Sequence, residues 1–186
     1  MNTTVLVPLA KGFEEMEAVI IVDVLRRAEI DVVVAGLDGP GPVLGSRGIT
    51  VMAETHMDEA VGRAFDAVVL PGGLGGTLAM RDDPRVVAAV AESKASGRLT
   101  AAICAAPLVF KAAGLAEGHT LTGHPSVHDE LRAAGATLGA TRVVRDGQLL
   151  TSQGPGTAME FALAIVVELK GQATADSVSA AMCFAQ

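Results

Sequence analysis

Short apolar runs recur along this chain with stretches of helical character between them, and this alternation constrains the fold more than any other feature. Val5 to Leu9 is the first run, ended by Lys11-Gly12. Ile30 to Leu37, Ile49 to Ala53, Ala67 to Leu70 and Leu99 to Ile103 follow. Runs this short read as strands, and Ala67 to Leu70 and Leu99 to Ile103 as buried ones. Glu14 to Ala28 reads as a helix, with acids in its first turn and Arg26 and Arg27 in its last, as the helix dipole favours. Asp83-Pro84 opens a second helix that runs to Ser96 and stops at Gly97. Ala105 to Ala113 is a third, Thr157 and Glu160 form a capping box for a fourth that reaches Lys170, and Ala175 to Cys183 is the last. "DGPGPVLGSRG" reads as turn, Thr120 to Thr122 as a short strand, and Arg142 to Thr151 as a hairpin turning at Asp146-Gly147. Strands alternating with helices predict an α/β/α sandwich with a mainly parallel sheet. No repeat, linker or low-complexity segment divides the sequence, so residues 1–186 are expected to form one domain.

Composition narrows the function classes. Half of the residues are hydrophobic, 19% are charged and Trp and Tyr are absent, so the core must close through aliphatic side chains. A net charge of -7 argues against nucleic acid or an anionic membrane as the main partner. Cys104 and Cys183 are the only cysteines, too few for a disulfide framework, so a reducing cytoplasm is expected. "MNTTVLVPLAKG" lacks a basic region and reads as a strand, and no apolar run approaches the roughly 20 residues that span a bilayer.

In an open parallel sheet, ligands bind beyond the carboxyl ends of the strands. Three features fall there: Cys104 after "LTAAI", "PGGLGG" after "AVVL", and "KGFEEME" after the first strand. A thiol between a strand and a helix start sits on a turn like a nucleophile elbow, with Ala102 and Ala106 where the glycines of that motif would stand. The N–H groups of the helix start are expected to lower its pKa. Position alone leaves open whether Cys104 is reactive or a buried, inert thiol. Glu17 heads the stripe Glu17, Ile20, Ile21, Val24, Ala28, whereas Glu14 and Glu15 are expected to reach solvent. A carboxyl on that stripe would have a raised pKa suited to acid–base work; the alternative is a helix-start acid answering the dipole. The glycines of "PGGLGG" can present N–H groups to an oxyanion, but Leu78 breaks the dinucleotide pattern and no Lys completes a P-loop. His124 is a candidate base or a loop histidine. Pro125 argues against a helix through His124 and His128, and without H-E-x-x-H or C-x-x-C neither a metal nor another cofactor is expected.

Five segments in order along the chain, "LAKGFEEMEAV", "VVLPGG", "AAICAAP", "GHPSVHDEL" and "LLTSQGPGTAMEFALAIV", resemble the ThiJ/PfpI (DJ-one) superfamily, in the branch that holds the Parkinsonism-associated human protein and bacterial YajL. The resemblance implies a flavodoxin-like fold and a homodimer. It puts the family's reactive cysteine on Cys104, its partner glutamate on Glu17, the nearby histidine on His124 and the oxyanion-binding N–H groups on Gly73 and Ala105. Arg27 and Arg47 match arginines near the family's dimer interface. The implied activity is cofactor-independent conversion of 2-oxoaldehydes, such as methylglyoxal to lactate, or deglycation of protein or nucleic acid. The alternative it implies is an oxidative-stress sensor and redox-regulated chaperone for unfolded proteins, in which Cys104 becomes a sulfinate. Two departures matter. Ala105 stands where the protease-like branch has His, which argues against peptidase activity, and Gly45 replaces a second family cysteine. Cys183 has no counterpart role.

Overall fold

The computed structural model describes residues 3–184. The chain runs β1 (Thr4–Leu9), α1 (Glu15–Arg27), β2 (Asp31–Gly36), β3 (Gly41–Leu44), β4 (Thr50–Ala53), β5 (Thr55–His56), α2 (Met57–Ala60), β6 (Ala67–Leu70), α3 (Leu74–Asp82), α4 (Pro84–Ala95), β7 (Leu99–Ile103) and α5 (Pro107–Ala112). It continues through β8 (Thr120–Leu121), α6 (His128–Ala133), β9 (Thr137–Leu138), β10 (Val143–Asp146), β11 (Leu149–Ser152), α7 (Ala158–Lys170) and α8 (Gln172–Ala181).

The main sheet has seven strands in the order β10-β11-β7-β6-β1-β2-β5. Only the β10–β11 hairpin is antiparallel; every other pairing in that sheet is parallel. Successive side chains of a strand face opposite ways, and β1 uses both. Val5, Val7 and Leu9 join Phe13, Ile21, Leu25, Phe161 and Ile165 in one core under α1, α7 and α8. Leu6 joins Val68, Leu70, Met80, Val90 and Phe110 in the other, under α3, α4 and α5. This is a flavodoxin-like α/β/α sandwich. From β1 the chain moves outward to β2 and then returns past β1 to β6, so the strand order reverses beside β1 and a crevice opens at the carboxyl ends.

Several local expectations need correction. "DGPGPVLGSRG" is not all turn: Gly41–Leu44 pairs antiparallel with β4 as a separate ribbon. The stretch after "PGGLGG" is a helix, α3, whose N-cap Gly73 has no side chain to announce it. Thr157 does not cap α7 through a box with Glu160: its Oγ1 accepts the Gly154 N–H at 3.1 Å and lies 2.6 Å from Ser152 Oγ, while Glu160 takes Arg142 Nε at 2.7 Å. The last helix is Gln172–Ala181, because Gly171 at φ 86 breaks α7 and lets the chain re-enter a helix at once. Cys183 lies beyond it, exposed, at φ 56.

Candidate active site

Strand β7 ends at Ile103, and the next residue turns the chain sharply. Cys104 has φ 64, a left-handed conformation that costs a side-chain-bearing residue about 1 kcal/mol or more. The surroundings leave it no alternative. Its N–H donates to the Ser152 carbonyl at 3.0 Å, and its carbonyl accepts the His124 N–H at 2.7 Å. The Ala106 N–H returns to the Ile103 carbonyl at 3.0 Å, and Pro107 then opens α5. The expected strand-to-helix turn is therefore present, with Cys104 9% exposed.

Glu17 comes to Cys104 from the first turn of α1. The Glu14 carboxylate caps that turn by accepting the Glu17 N–H at 2.8 Å. The Glu17 side chain is fully buried. Its Oε2 accepts the Gly72 N–H at 2.7 Å, its Oε1 has no hydrogen-bond partner, and the Cys104 thiol lies beside the carboxyl. The glycines beside it are sterically required. A Cβ on Gly72 would lie 2.5 Å from Cys104 Cβ and 2.6 Å from Glu17 Oε2, and one on Gly73, at φ 86, would meet the Gly12 carbonyl oxygen at 2.5 Å.

The electrostatics correct one expectation. Burial pushes Glu17 up to about 7 against the opposing pull of the Gly72 N–H and the Cys104 thiol, with the Glu14 charge adding to the rise. Cys104, however, is not lowered. Burial and the negative charge of Glu17 push it up to about 12, against the N–H groups of Gly73 and Ala105. Of its two donors, Gly73 is the N-cap of α3 and Ala105 precedes the N-cap of the six-residue α5, and together they do not offset burial and the neighbouring carboxylate. The two values belong to a pair that sheds its first proton near 7 and holds its second until about 12. A thiolate exists at neutral pH only where Glu17 keeps the remaining proton.

The structure thus brings together Cys104, Glu17 and the N–H groups of Gly73 and Ala105, and adds Gly72, which sequence reasoning passed over. His124 joins through its main chain. Its exposed ring makes a 2.8 Å hydrogen bond between Nδ1 and Ser126 Oγ. Arg27 sits at the far end of α1, its Nε on Asp23 at 2.6 Å, and Arg47 is exposed, with its main-chain N–H on the Glu15 carboxylate. Neither guanidinium is among the hydrogen-bonding partners of Cys104 or Glu17. Glu15 does not reach solvent as expected. It is buried, and its partners lie on the turn after β3, where no local pattern could reveal them. Among the described residues, no group of three His, Cys, Asp or Glu could hold a metal ion, and no helix is long and apolar enough to cross a membrane.

Comparison with known proteins identifies the family. Residues 3–168 match the model of the DJ-1/PfpI family. Protein dj-1beta of Drosophila melanogaster is 45% identical over 179 residues, covering 96% of either chain. The crystal structure of Drosophila melanogaster DJ-1beta superposes with a TM-score of 0.96 at 44% identity, over 100% of both chains. A Caenorhabditis elegans protein named glutathione-independent glyoxalase DJR-1.2 is 32% identical, covering 93% of this chain and 91% of its own. With residues 3–168 matching the family's model and a relative 45% identical across nearly the whole length of both, the chain belongs to the DJ-1/PfpI family.

Proposed function

We propose that this protein is a cofactor-independent glyoxalase that converts 2-oxoaldehydes such as methylglyoxal to 2-hydroxy acids. The observation that carries the reading is the Cys104–Glu17 pair: a buried carboxyl holding one hydrogen bond from Gly72, an Oε1 without a donor, and a thiol beside it that ionises only if Glu17 stays protonated. The C. elegans relative named as a glutathione-independent glyoxalase supports the substrate class.

The chemistry follows from the shared proton. With the proton on Glu17, the Cys104 thiolate adds to the aldehyde carbon and forms the C–S bond of a hemithioacetal. The N–H groups of Gly73 and Ala105 stabilise the developing oxyanion, which then takes the Glu17 proton. Glu17, now a carboxylate, removes the proton from C1 to give an enediolate and returns it at C2, while the C1 hydroxyl proton passes to the C2 oxygen, leaving a thioester on Cys104. Water cleaves the thioester, giving lactate and restoring the one-proton pair. Overall, methylglyoxal and one water become lactic acid, with no external oxidant or reductant. His124 acts, on this reading, through its main-chain hold on the Cys104 carbonyl, and through its ring only if Ser126 releases it. The same thiolate would serve deglycation of protein or nucleic acid by consuming the aldehyde.

The apolar surface supports a second copy as partner. Met16 and Val19 on α1, with Leu44, Ile49 and Met52 on the β3–β4 ribbon, are large hydrophobic side chains left exposed on neighbouring elements. Arg47 lies on that ribbon's turn and Arg27 on the same helix, so both would flank the interface. Both cysteines are free, which suits the reducing cytoplasm we assign.

The test is lactate production from methylglyoxal by purified protein without glutathione. Turnover well above that of an equal concentration of simple thiol is expected, and its loss in Cys104→Ser. A rate no better than free thiol would instead favour the sensor reading, in which the Gly73 and Ala105 N–H groups would hold the oxygens of an oxidised Cys104.

A further inference from the structure

Glu15 takes no part in the chemistry above, yet it is 4% exposed and fully engaged. Its Oε1 accepts the main-chain N–H groups of Arg47 and, at 3.3 Å, Ile49; its Oε2 accepts the Ser46 hydroxyl at 3.1 Å. Burial alone would raise its pKa, but the N–H groups of Arg47, of Glu15 itself and of Ile49, with the Ser46 hydroxyl, reverse the sign and hold it ionised. Gly45 makes this approach possible. A Cβ there would lie 2.5 Å from both Glu15 Cγ and Oε1.

The turn that Glu15 grips also grips the chain ahead of α1. The Gly12 N–H donates to the Leu44 carbonyl at 2.8 Å, and the Ser46 N–H to the Phe13 carbonyl at 2.8 Å. The other side of that segment is where the site's glycines rest. The Glu14 N–H donates to the Gly72 carbonyl at 2.9 Å, and a Cβ on Gly73 would lie 2.5 Å from the Phe13 carbonyl carbon. The contacts form one sequence: Glu15 carboxylate, turn 45–49, segment 12–14, Gly72-Gly73, and then Glu17 and Cys104.

We propose that Glu15 is a positioning residue: its carboxylate clamps turn 45–49 onto segment 12–14 and thereby fixes the Gly72 and Gly73 N–H groups that address Glu17 and Cys104. Gly45 belongs to the same device, as the gap through which the carboxylate enters. The effect on turnover rests on the glyoxalase reading; the effect on the thiol does not.

The experiment follows Cys104 alkylation by iodoacetamide as a function of pH, with mass spectrometry to locate the label. Glu15→Ala removes the clamp, and Gly45→Ala expels the carboxylate without touching it. Both should move the alkylation profile to higher pH by about one unit, which is about tenfold in rate at a fixed pH below the midpoint. The double variant should move it no further than either single one, since both break the same device. Glu15→Gln should restore the native profile, because its Oε1 can still accept from Arg47 and Ile49 while its amide donates to Ser46 Oγ. If either alanine variant yields no folded protein, Ser46→Ala removes a single donor and should produce a smaller shift of the same sign. A merely structural Glu15 would lower the melting temperature and leave the profile in place, and that result overturns the proposal. So does a Gln variant shifted as far as the Ala variant. Alkylation needs no aldehyde, so a wild-type protein without turnover would defeat the glyoxalase reading and leave this measurement standing.

Discussion

Glu15 and Glu17 stand on the same turn of α1, both buried, and the structure shifts their pKa values in opposite directions. Glu15 meets donors from Ser46, Arg47 and Ile49 and is held ionised. Glu17 meets one, from Gly72, and burial lifts it to about 7. Both side chains are shut off from solvent, but Glu17 lies deeper, so depth of burial and the number of N–H and O–H groups aimed at each carboxylate together decide the protonation state. The first acid ties the turn after β3 to the frame of the site. The second is left short of donors beside a thiol, where the proposed mechanism needs a proton reservoir. On that reading, one short helical turn supplies both the anchor and the chemistry.

The largest effect should come from removing the proton reservoir. Glu17→Gln keeps a hydrogen-bond donor for Cys104 but cannot relay a proton, so turnover of methylglyoxal should fall by about 10²-fold or more. Glu17→Leu should lose as much. Full turnover in Glu17→Gln would pass the relay to His124 or to water and break the contrast between the two acids.

Stability against pH sharpens the comparison, because the two acids carry opposite signs. A carboxyl raised from 4.5 to about 7 on folding favours the folded state fully below 4.5 and loses that contribution as pH rises to about 7. Glu17→Gln should therefore be more stable than the parent above neutrality, by on the order of 3 kcal/mol, with the gain shrinking to nothing in acid. For Glu15 the sign is reversed. Its lowered pKa stabilises the fold above its ordinary 4.5 and is lost as pH falls through the depressed value. Glu15→Gln should be the less stable chain at neutrality, by on the order of 1 kcal/mol or less, and match the parent in strong acid. Urea unfolding across pH checks both. Curves displaced in the same direction would mean that the two sites are alike.

The smallest effect belongs to Cys183. It is exposed, at φ 56 beyond the end of α8, with no helix start to stabilise a thiolate. Cys183→Ser should leave turnover and the pH profile of Cys104 alkylation unchanged. A loss of activity would mean that the two cysteines act together.

How much of this was legible in the sequence follows the range of the forces involved. Strands β6 and β7 were found to the residue because "AVVL" and "LTAAI" are buried throughout. The turn at Cys104 was legible because a buried strand meets Pro107 within a few residues. The ribbon strand β3 was not, since Gly41 and Pro42 signal a turn and its burial only alternates between half-exposed and exposed. The start of α3 was hidden because its cap is a glycine required for close packing, not for a side-chain bond. Glu15 was misread because its Ser46 partner lies 31 residues further on. The thiol's pKa was misread for a related reason: a helix start is visible in a local pattern, whereas the burial and the Glu17 charge that outweigh it arise only once the sheet is assembled.

The central claim is that Cys104 and Glu17 share one proton, so that the thiolate forms near neutrality only while Glu17 keeps that proton. The most direct measurement is the rate of Cys104 alkylation against pH in the unmodified protein, with Glu17→Leu as reference. The account predicts a transition near pH 7, where the pair loses its first proton, and a shift of more than about one unit upward when Leu removes the donor. The contradicting result is a thiol silent until pH rises past its ordinary 9.0. Glu17 would then carry the charge alone, and Cys104 would be a buried thiol rather than a nucleophile.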